Sequence, residues 1–301
     1  MAVSRVTVVE VGPRDGLQNE ARAVPAAAKL ELVDRLQAAG VRAIEVTSFV
    51  SARRVPQLSD GAEVMAGLRR APGVRYAVLV PNLRGWEAAA PHRPDEVLVL
   101  GSASDAFSRA NVGCGAEEAL ERAAPVVAAA RAAGVAVRGA ISCAVGCPYQ
   151  GAVAPAQVGA VAAAMRAIGV QTVGVADTIG VGTPRQVRAA LEAALVHFPL
   201  EALSGHFHDT YGTALANVCA ALELGVATFD ASVSGLGGCP FARGATGNLA
   251  TEDLVYLLDG MGIETGIDLE RLVDAGQFIR GVLGQESGSR AARALLARRG
   301  G

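Results

Sequence analysis

VTVVEVGPRDGLQNE, residues 6–20, decides between two ways of building a large α/β protein. Val6–Val11 reads as a buried strand, apolar but for Thr7 and Glu10. The turn after such a strand is where an open doubly wound sheet carries Gly-x-Gly-x-x-Gly. Here the turn is Gly12-Pro13-Arg14-Asp15-Gly16, and that spacing is absent. A charged pair directly after a buried strand must be paired, hydrated or bound to something. Glu10, inside the strand, is either a buried partner for a cation or a residue facing a neighbouring helix.

The same strand-then-helix pattern continues along all 301 residues. Strands are expected at 6–11, 42–49, 74–80, 96–101, 136–143, 172–177, 203–208 and 228–234. Helical periodicity falls near 25–39, 59–70, 83–90, 115–133, 155–168, 184–197, 213–224 and 250–259. Gly40, Gly134, Gly169 and Gly225 close helices just before strands. Eight strands alternating with eight helices favour a (β/α)8 TIM barrel over the open sheet. One or two extra helices are expected over 268–283. The expectation is a single catalytic domain over 1–284 and a mobile tail over 285–301.

Bulk properties narrow the function. Apolar residues make up 51% of the chain, so it has material for a sizeable core. The net charge of −2 and the lack of a basic run argue against nucleic acid and membrane surfaces. Mean hydropathy is +0.34, yet no apolar run is long enough to span a bilayer. The N-terminus enters a strand directly, without a signal or presequence pattern, so a cytoplasmic protein is expected. Five sparse cysteines do not form a secreted disulfide framework, and Cys143 and Cys147 have no second pair to complete a zinc site.

A barrel places its chemistry at the C-terminal ends of its strands, and polar residues cluster there. Strand one ends in Arg14-Asp15. Strand two carries Glu45 in an apolar context, then Thr47 and Ser48. Strand four ends in Ser102 and Ser104, strand five in Ser142 and Cys143, and strand six in Asp177-Thr178. Strand seven ends in His206-x-His208-Asp209, and strand eight runs into a glycine-rich loop with Cys239, Asn248 and Glu252.

Residues two apart on a strand share a face, so His206 and His208 stand side by side and can bind one metal ion. Asp15 would add a carboxylate oxygen and Asn248 an amide oxygen. That set suits Mg²⁺ or Mn²⁺, or alternatively Zn²⁺ or Co²⁺. The loop Gly235–Gly244 would carry Cys239 as a functional thiol to the mouth of the site. Glu252, in the first turn of a helix, needs no role beyond that position. His92, His197 and Trp86 read as packing or surface residues, and Arg53-Arg54 as a solvated pair.

The motifs EVGPRDGLQNE, IEVTSFVS, VPNLRG, SCAVGCPYQG, ADTIGVGTP, GHFHDTYGTALAN and GLGGCPFARGATGNLATEDLVY together resemble the hydroxymethylglutaryl-CoA lyase family. The resemblance runs from about residue 5 to about residue 283. It implies a barrel, a divalent metal ion (Mg²⁺ or Mn²⁺), a homodimer and an acyl-CoA substrate cleaved to acetoacetate and acetyl-CoA. It implies Asp15, His206, His208 and Asn248 as metal ligands, Arg14 as the stabiliser of the enolate oxygen and Cys239 as the catalytic cysteine. Glu45 and Asp177 resemble supporting acids, His206 is implicated in proton transfer, and Ser48, Ser142 and Thr178 join Arg14 as expected substrate contacts. The tail has no cysteine, so the redox role of a C-terminal cysteine in vertebrate members should be absent.

Retro-Claisen cleavage of a tertiary alcohol fits these residues on chemical grounds. It needs a deprotonated hydroxyl, a stabilised thioester enolate and a proton for the enolate carbon. Asp15 and His206 are both suited to take the first proton. Rival readings are a lyase for a longer branched substrate such as an isohexenyl analogue, and an acyl-CoA/2-oxo acid synthase. A metal-dependent amidohydrolase would carry its His-x-His on strand one, and a non-catalytic scaffold would not need the intact set.

Overall fold

The computed structural model describes residues 3–238 and 247–299. Eight parallel strands close into a barrel: β1 Thr7–Glu10, β2 Ala43–Ser48, β3 Arg75–Leu79, β4 Glu96–Ser102, β5 Ala136–Ser142, β6 Thr172–Asp177, β7 Leu203–Phe207 and β8 Thr228–Ala231. Each strand pairs with its barrel neighbour in sequence, and β8 closes on β1 from Thr7↔Thr228 to Glu10↔Ala231. The longest register, β4 on β5, runs from Glu96↔Ala136 to Ser102↔Ser142. All eight expected strands are present, shorter than expected by a residue or more at several ends.

Around the barrel lie α1 Ala26–Ala38, α2 Gly61–Gly67, α3 Leu83–Ala89, α4 Asp105–Val112, α5 Ala116–Ala132, α6 Pro155–Ala167, α7 Pro184–Leu195, α8 Ala214–Leu224 and α9 Thr251–Gly260. Valine and leucine side chains of the strands and helices, such as Val46, Val99, Leu32, Val126 and Leu191, are fully or almost fully buried between the two layers. Helix starts follow their sequence signals. Pro184 opens α7, and Gln186 Oε1 accepts from the Thr183 N–H at 3.1 Å and hydroxyl at 2.8 Å. Helix α4 was not expected. Ser104, read as part of a strand end, instead caps it by accepting from Phe107 N–H at 3.1 Å.

Beyond the barrel, α10 Leu269–Leu283 is one helix, capped by Asp268. The stretch read as a mobile tail differs from expectation, since it forms α11 Arg290–Arg299. Asp253, in the first turn of α9, accepts from Ser289 Oγ at 2.7 Å, Ala291 N at 2.7 Å and Arg290 N at 3.2 Å. A carboxylate there satisfies the first two free N–H groups of α11 and meets the positive end of its dipole, while Ser289 Oγ accepts from the third, Ala292 N, at 3.0 Å. Arg290 also pairs with Asp209 at 2.8 Å, so the segment reaches back to the loop after β7. Among the described residues no helix is long and apolar enough to cross a membrane.

Candidate active site

Glu10 shapes the loop that holds Arg14 and Asp15. Its buried Oε1 accepts from Gly12 N and Val233 N, both at 2.8 Å, and its Oε2 from Thr251 Oγ1 at 2.6 Å. Of the two expected roles Glu10 takes the second: it pairs with no cation among the described residues, and its Oε2 meets Thr251, the first residue of α9. It pins the turn after β1 to the one after β8. A side chain at Gly12 would lie 2.6 Å from that carboxylate, which accounts for the glycine. Gly12–Gly16 then forms a single π-helical turn that sets Arg14 and Asp15 at the barrel mouth.

Arg14 is buried and donates to two carboxylates, Glu45 through Nε and Asp15 through Nη1 at 2.6 Å. Among the described residues these bonds engage two of its five N–H donors. Asp15 is further oriented by Gln18 Nε2 at 2.8 Å and Asn248 Nδ2 at 2.9 Å. Burial alone would raise the Asp15 carboxyl. Arg14 and then the two imidazoles outweigh it and hold Asp15 well below the usual carboxylate range.

The Nε2 atoms of His206 and His208 face the same Asp15 oxygen, at 3.9 and 4.0 Å, and the two rings lie 5.3 Å apart. These gaps are too long for hydrogen bonds. Donors each about 2.1 Å from one cation lie at most about 4.2 Å apart, so the gaps suit a shared ion. Ligand atoms of Asp15, His206 and His208 all fall within 4.8 Å of one another. His208 Nδ1 is buried with no hydrogen-bond partner among the described residues, so no hydrogen bond they make accounts for this histidine. Burial and neighbouring His206 push His208 down to about 4, leaving it neutral at pH 7. Burial also pulls on His206, but the hydrogen bond it donates to Asp230 raises it above its ordinary value.

The other expected site residues divide. Glu45 sits beneath Arg14 as an anchoring acid. Asp177 gives its oxygens to the backbone N–H groups of Val181 at 3.1 Å and Gly182 at 2.7 Å, so it shapes the loop after β6. Thr178 Oγ1 accepts from Cys143 N at 2.8 Å and steadies that residue at φ 55°. Ser48 ends β2 with a buried hydroxyl that has no partner among the described residues, and Ser142 ends β5 half-buried. Asn248 bridges to His208 through the backbone and touches Asp15. Cys239 lies outside the described residues. Cys143 and Cys147 are buried.

Sequence reasoning missed Asp230 and Arg138. Asp230 Oδ2 lies 3.1 Å from His206 Nδ1, and Arg138 is ion-paired with Asp230. Their signal was the one that marked Glu45, a lone charge in an apolar strand. It also undervalued Glu252, whose buried carboxylate accepts from Ser234 N at 2.8 and 3.0 Å and holds that residue at φ 60°.

Residues 5–279 match the HMGL-like family. The chain belongs to the HMGL-like family. Among HMGL-like relatives, it is 56% identical over 294 residues to the 3-hydroxy-3-isohexenylglutaryl-CoA/hydroxy-methylglutaryl-CoA lyase of Pseudomonas aeruginosa, covering 98% of each chain. It is 51% identical to the mitochondrial hydroxymethylglutaryl-CoA lyase of Gallus gallus, covering 96% of this chain and 97% of that one. The crystal structure of hydroxymethylglutaryl-CoA lyase from Pseudomonas aeruginosa superimposes with a TM-score of 0.96 at 55% identity, covering 99% of both chains.

A stability prediction arises from the two buried glutamates of this HMGL-like barrel. Burial pushes Glu10 up to about 7 and Glu252 up to about 8, from ordinary values of 4.5. The folded state thus holds these protons more tightly than the unfolded chain. Their contribution is fully present below pH 4.5 and is lost as pH rises through about 7 and 8. Thermal melts from about pH 5 to about pH 9 should therefore fall for the wild type and fall less for Glu252→Gln. Parallel curves for the two proteins would remove Glu252 from this account.

Proposed function

We infer that this chain cleaves 3-hydroxy-3-methylglutaryl-CoA to acetoacetate and acetyl-CoA. The observation that carries the reading is the position of the Asp15 carboxylate, bonded to the Arg14 guanidinium and facing both imidazoles. A charge stabiliser and a ligand triad thereby meet at one point of the barrel mouth.

Asp15, His206 and His208, with Asn248 beside them, would hold a divalent cation. Bound there, it would lower the pKa of the substrate's tertiary hydroxyl and orient the substrate. Mg²⁺ or Mn²⁺ suits a set of imidazole, carboxylate and amide donors without a thiolate. Arg14 offers its remaining N–H groups to the thioester oxygen, which becomes an enolate oxygen as the carbon–carbon bond breaks. Asp15 accepts the hydroxyl proton, or His206 does so at Nε2 where that nitrogen is not engaged as a ligand, since its Nδ1 faces Asp230. The electron pair of that O–H bond forms the ketone of acetoacetate, and the pair of the broken bond passes to the enolate. Protonation of the enolate carbon then yields acetyl-CoA. We assign that proton to Cys239 on the sequence resemblance alone. Asp177 and Thr178 hold the adjoining loops, while Ser48 and Ser142 offer hydroxyls to substrate. We further propose a cytoplasmic homodimer.

The name of the Pseudomonas aeruginosa relative supports a second reading, in which a longer isohexenyl branch is also accepted. One experiment addresses both. The purified protein is incubated with 3-hydroxy-3-methylglutaryl-CoA and Mg²⁺ or Mn²⁺, then with a chelator, and both products are quantified. Equal, metal-dependent release of acetoacetate and acetyl-CoA is expected. No release from folded, metal-loaded protein would overturn the first reading and move the test to the isohexenyl substrate.

Cys239→Ala should fold and bind metal as the wild type does, yet lose about 10²- to 10⁴-fold in turnover, the usual span for a missing general acid. Circular dichroism, calorimetry and steady-state rates check this together. Near-wild-type turnover would end the proton-donor role.

A further inference from the structure

Asp230 on β8 stands in register with His206 on β7, and its Oδ2 lies 3.1 Å from His206 Nδ1. The Asp230 side chain is 6% exposed and Arg138 reaches it from β5, three strands away, across the barrel interior. Arg138 Nη2 donates to both Asp230 oxygens and lies 3.3 Å from Ser204 Oγ. Two buried charges are costly to keep inside a barrel unless they are paired, and this pair sits beneath the site.

We propose that Asp230, held by Arg138, is a positioning residue that fixes His206 as its Nδ1–H tautomer and so turns the Nε2 lone pair toward Asp15. An ionised carboxylate only accepts hydrogen bonds, so the proton at this contact belongs to Nδ1. Neutral His206 then has its lone pair on Nε2, the atom 3.9 Å from Asp15 Oδ2. The inference rests on the reading above that Asp15, His206 and His208 hold a divalent cation. It adds the partner that selects the ligating nitrogen, as outer carboxylates do for metal-bound histidines elsewhere.

An amide at 230 makes the idea testable. Its single oxygen would be drawn by Arg138, leaving an N–H facing His206 Nδ1 and favouring the Nε2–H tautomer, which points a proton at the cation. Asp230→Asn should therefore bind Mn²⁺ about 10- to 100-fold more weakly by calorimetry. Adding Arg138→Leu to Asp230→Asn frees the amide oxygen for His206 and should recover most of that loss. A purely structural role for the ion pair predicts no such rescue.

The tautomer itself is read by long-range ¹H–¹⁵N spectra of histidine-labelled wild type at high pH, without metal and with Mg²⁺, His206 being assigned by its loss in His206→Gln. Nδ1–H is expected. An Nε2–H tautomer, or an Asp230→Asn protein that binds Mn²⁺ like the wild type, would overturn the proposal. The spectra need no variant at 230, so they decide the matter even where Asp230→Asn does not fold. Wild type that binds no Mn²⁺ would sink the metal reading, while the metal-free spectrum would still decide what Asp230 does.

Discussion

Arg14→Met should still bind substrate and should lose about 10³-fold or more in kcat. Removing one neutral oxyanion donor costs about 10²- to 10³-fold, and Arg14 brings a full charge. Methionine keeps much of the apolar stem, so the loss falls on the guanidinium. Asp15 retains its bonds from Gln18 and Asn248, so the ligand triad stays in place. Glu45 does not fare as well. It is about 1% exposed, Arg14 is its ion-pair partner, and breaking a buried pair from one side typically costs about 3–5 kcal/mol. Lower stability is thus expected alongside lower activity, and a companion variant separates them. Arg14→Met with Glu45→Gln removes the stranded charge, so it should regain melting temperature without regaining turnover. Steady-state kinetics with both proteins make the check. A single variant that raises KM and leaves kcat alone would make Arg14 a binding residue.

The barrel was legible because its strands announce themselves twice, by short apolar runs and by glycines such as Gly169 and Gly225 that end the preceding helices at positive φ. Barrel topology also turned a list of polar residues into one place, since the C-terminal ends of parallel strands converge whatever the loop lengths. Arg14, Asp15, His206 and His208 could be grouped on that basis before any distance was known. The pattern did not say which oxygen meets which proton. Glu10, Asp177 and Thr178 look like site chemistry in the sequence, yet in the fold they bond to backbone N–H groups and a neighbouring hydroxyl. Loops at a crowded mouth leave N–H groups that only side chains can satisfy, and no local spacing records this demand. Asp230 and Arg138 stayed hidden for a related reason. They lie 92 residues apart, and only barrel closure makes them a pair. Helix α11 has a local cap, Ser289, which accepts from Ala292 N at 3.0 Å, but the carboxylate that fixes its start, Asp253, belongs to another helix and leaves no local signal.

His208→Ala should abolish metal loading while leaving the metal-free fold nearly untouched. The position is held by its backbone. His208 N donates to Asp177 O at 3.2 Å, and residue 208 bridges to Asn248. Removal of the imidazole strands no partner at Nδ1, which has none among the described residues, and relieves a buried group whose pKa is already pushed down to about 4. Metal-free melting temperatures of variant and wild type should therefore nearly coincide. Metal affinity should fall by more than the about 10- to 100-fold that outer-shell partners cost, because a ligand is lost rather than its orientation. A cation at 100 times its Kd stabilises the wild type by about 2.7 kcal/mol, so Mn²⁺ should raise the melting point of the wild type and not of His208→Ala at the same concentration. Turnover should disappear with loading. Because His208 is neutral at pH 7 and His206 is raised above its ordinary value, acid should weaken wild-type loading first through proton competition at His206. A variant that binds Mn²⁺ as tightly as the wild type by calorimetry would take His208 out of the ligand set and leave Asp15 and His206 to seek another partner.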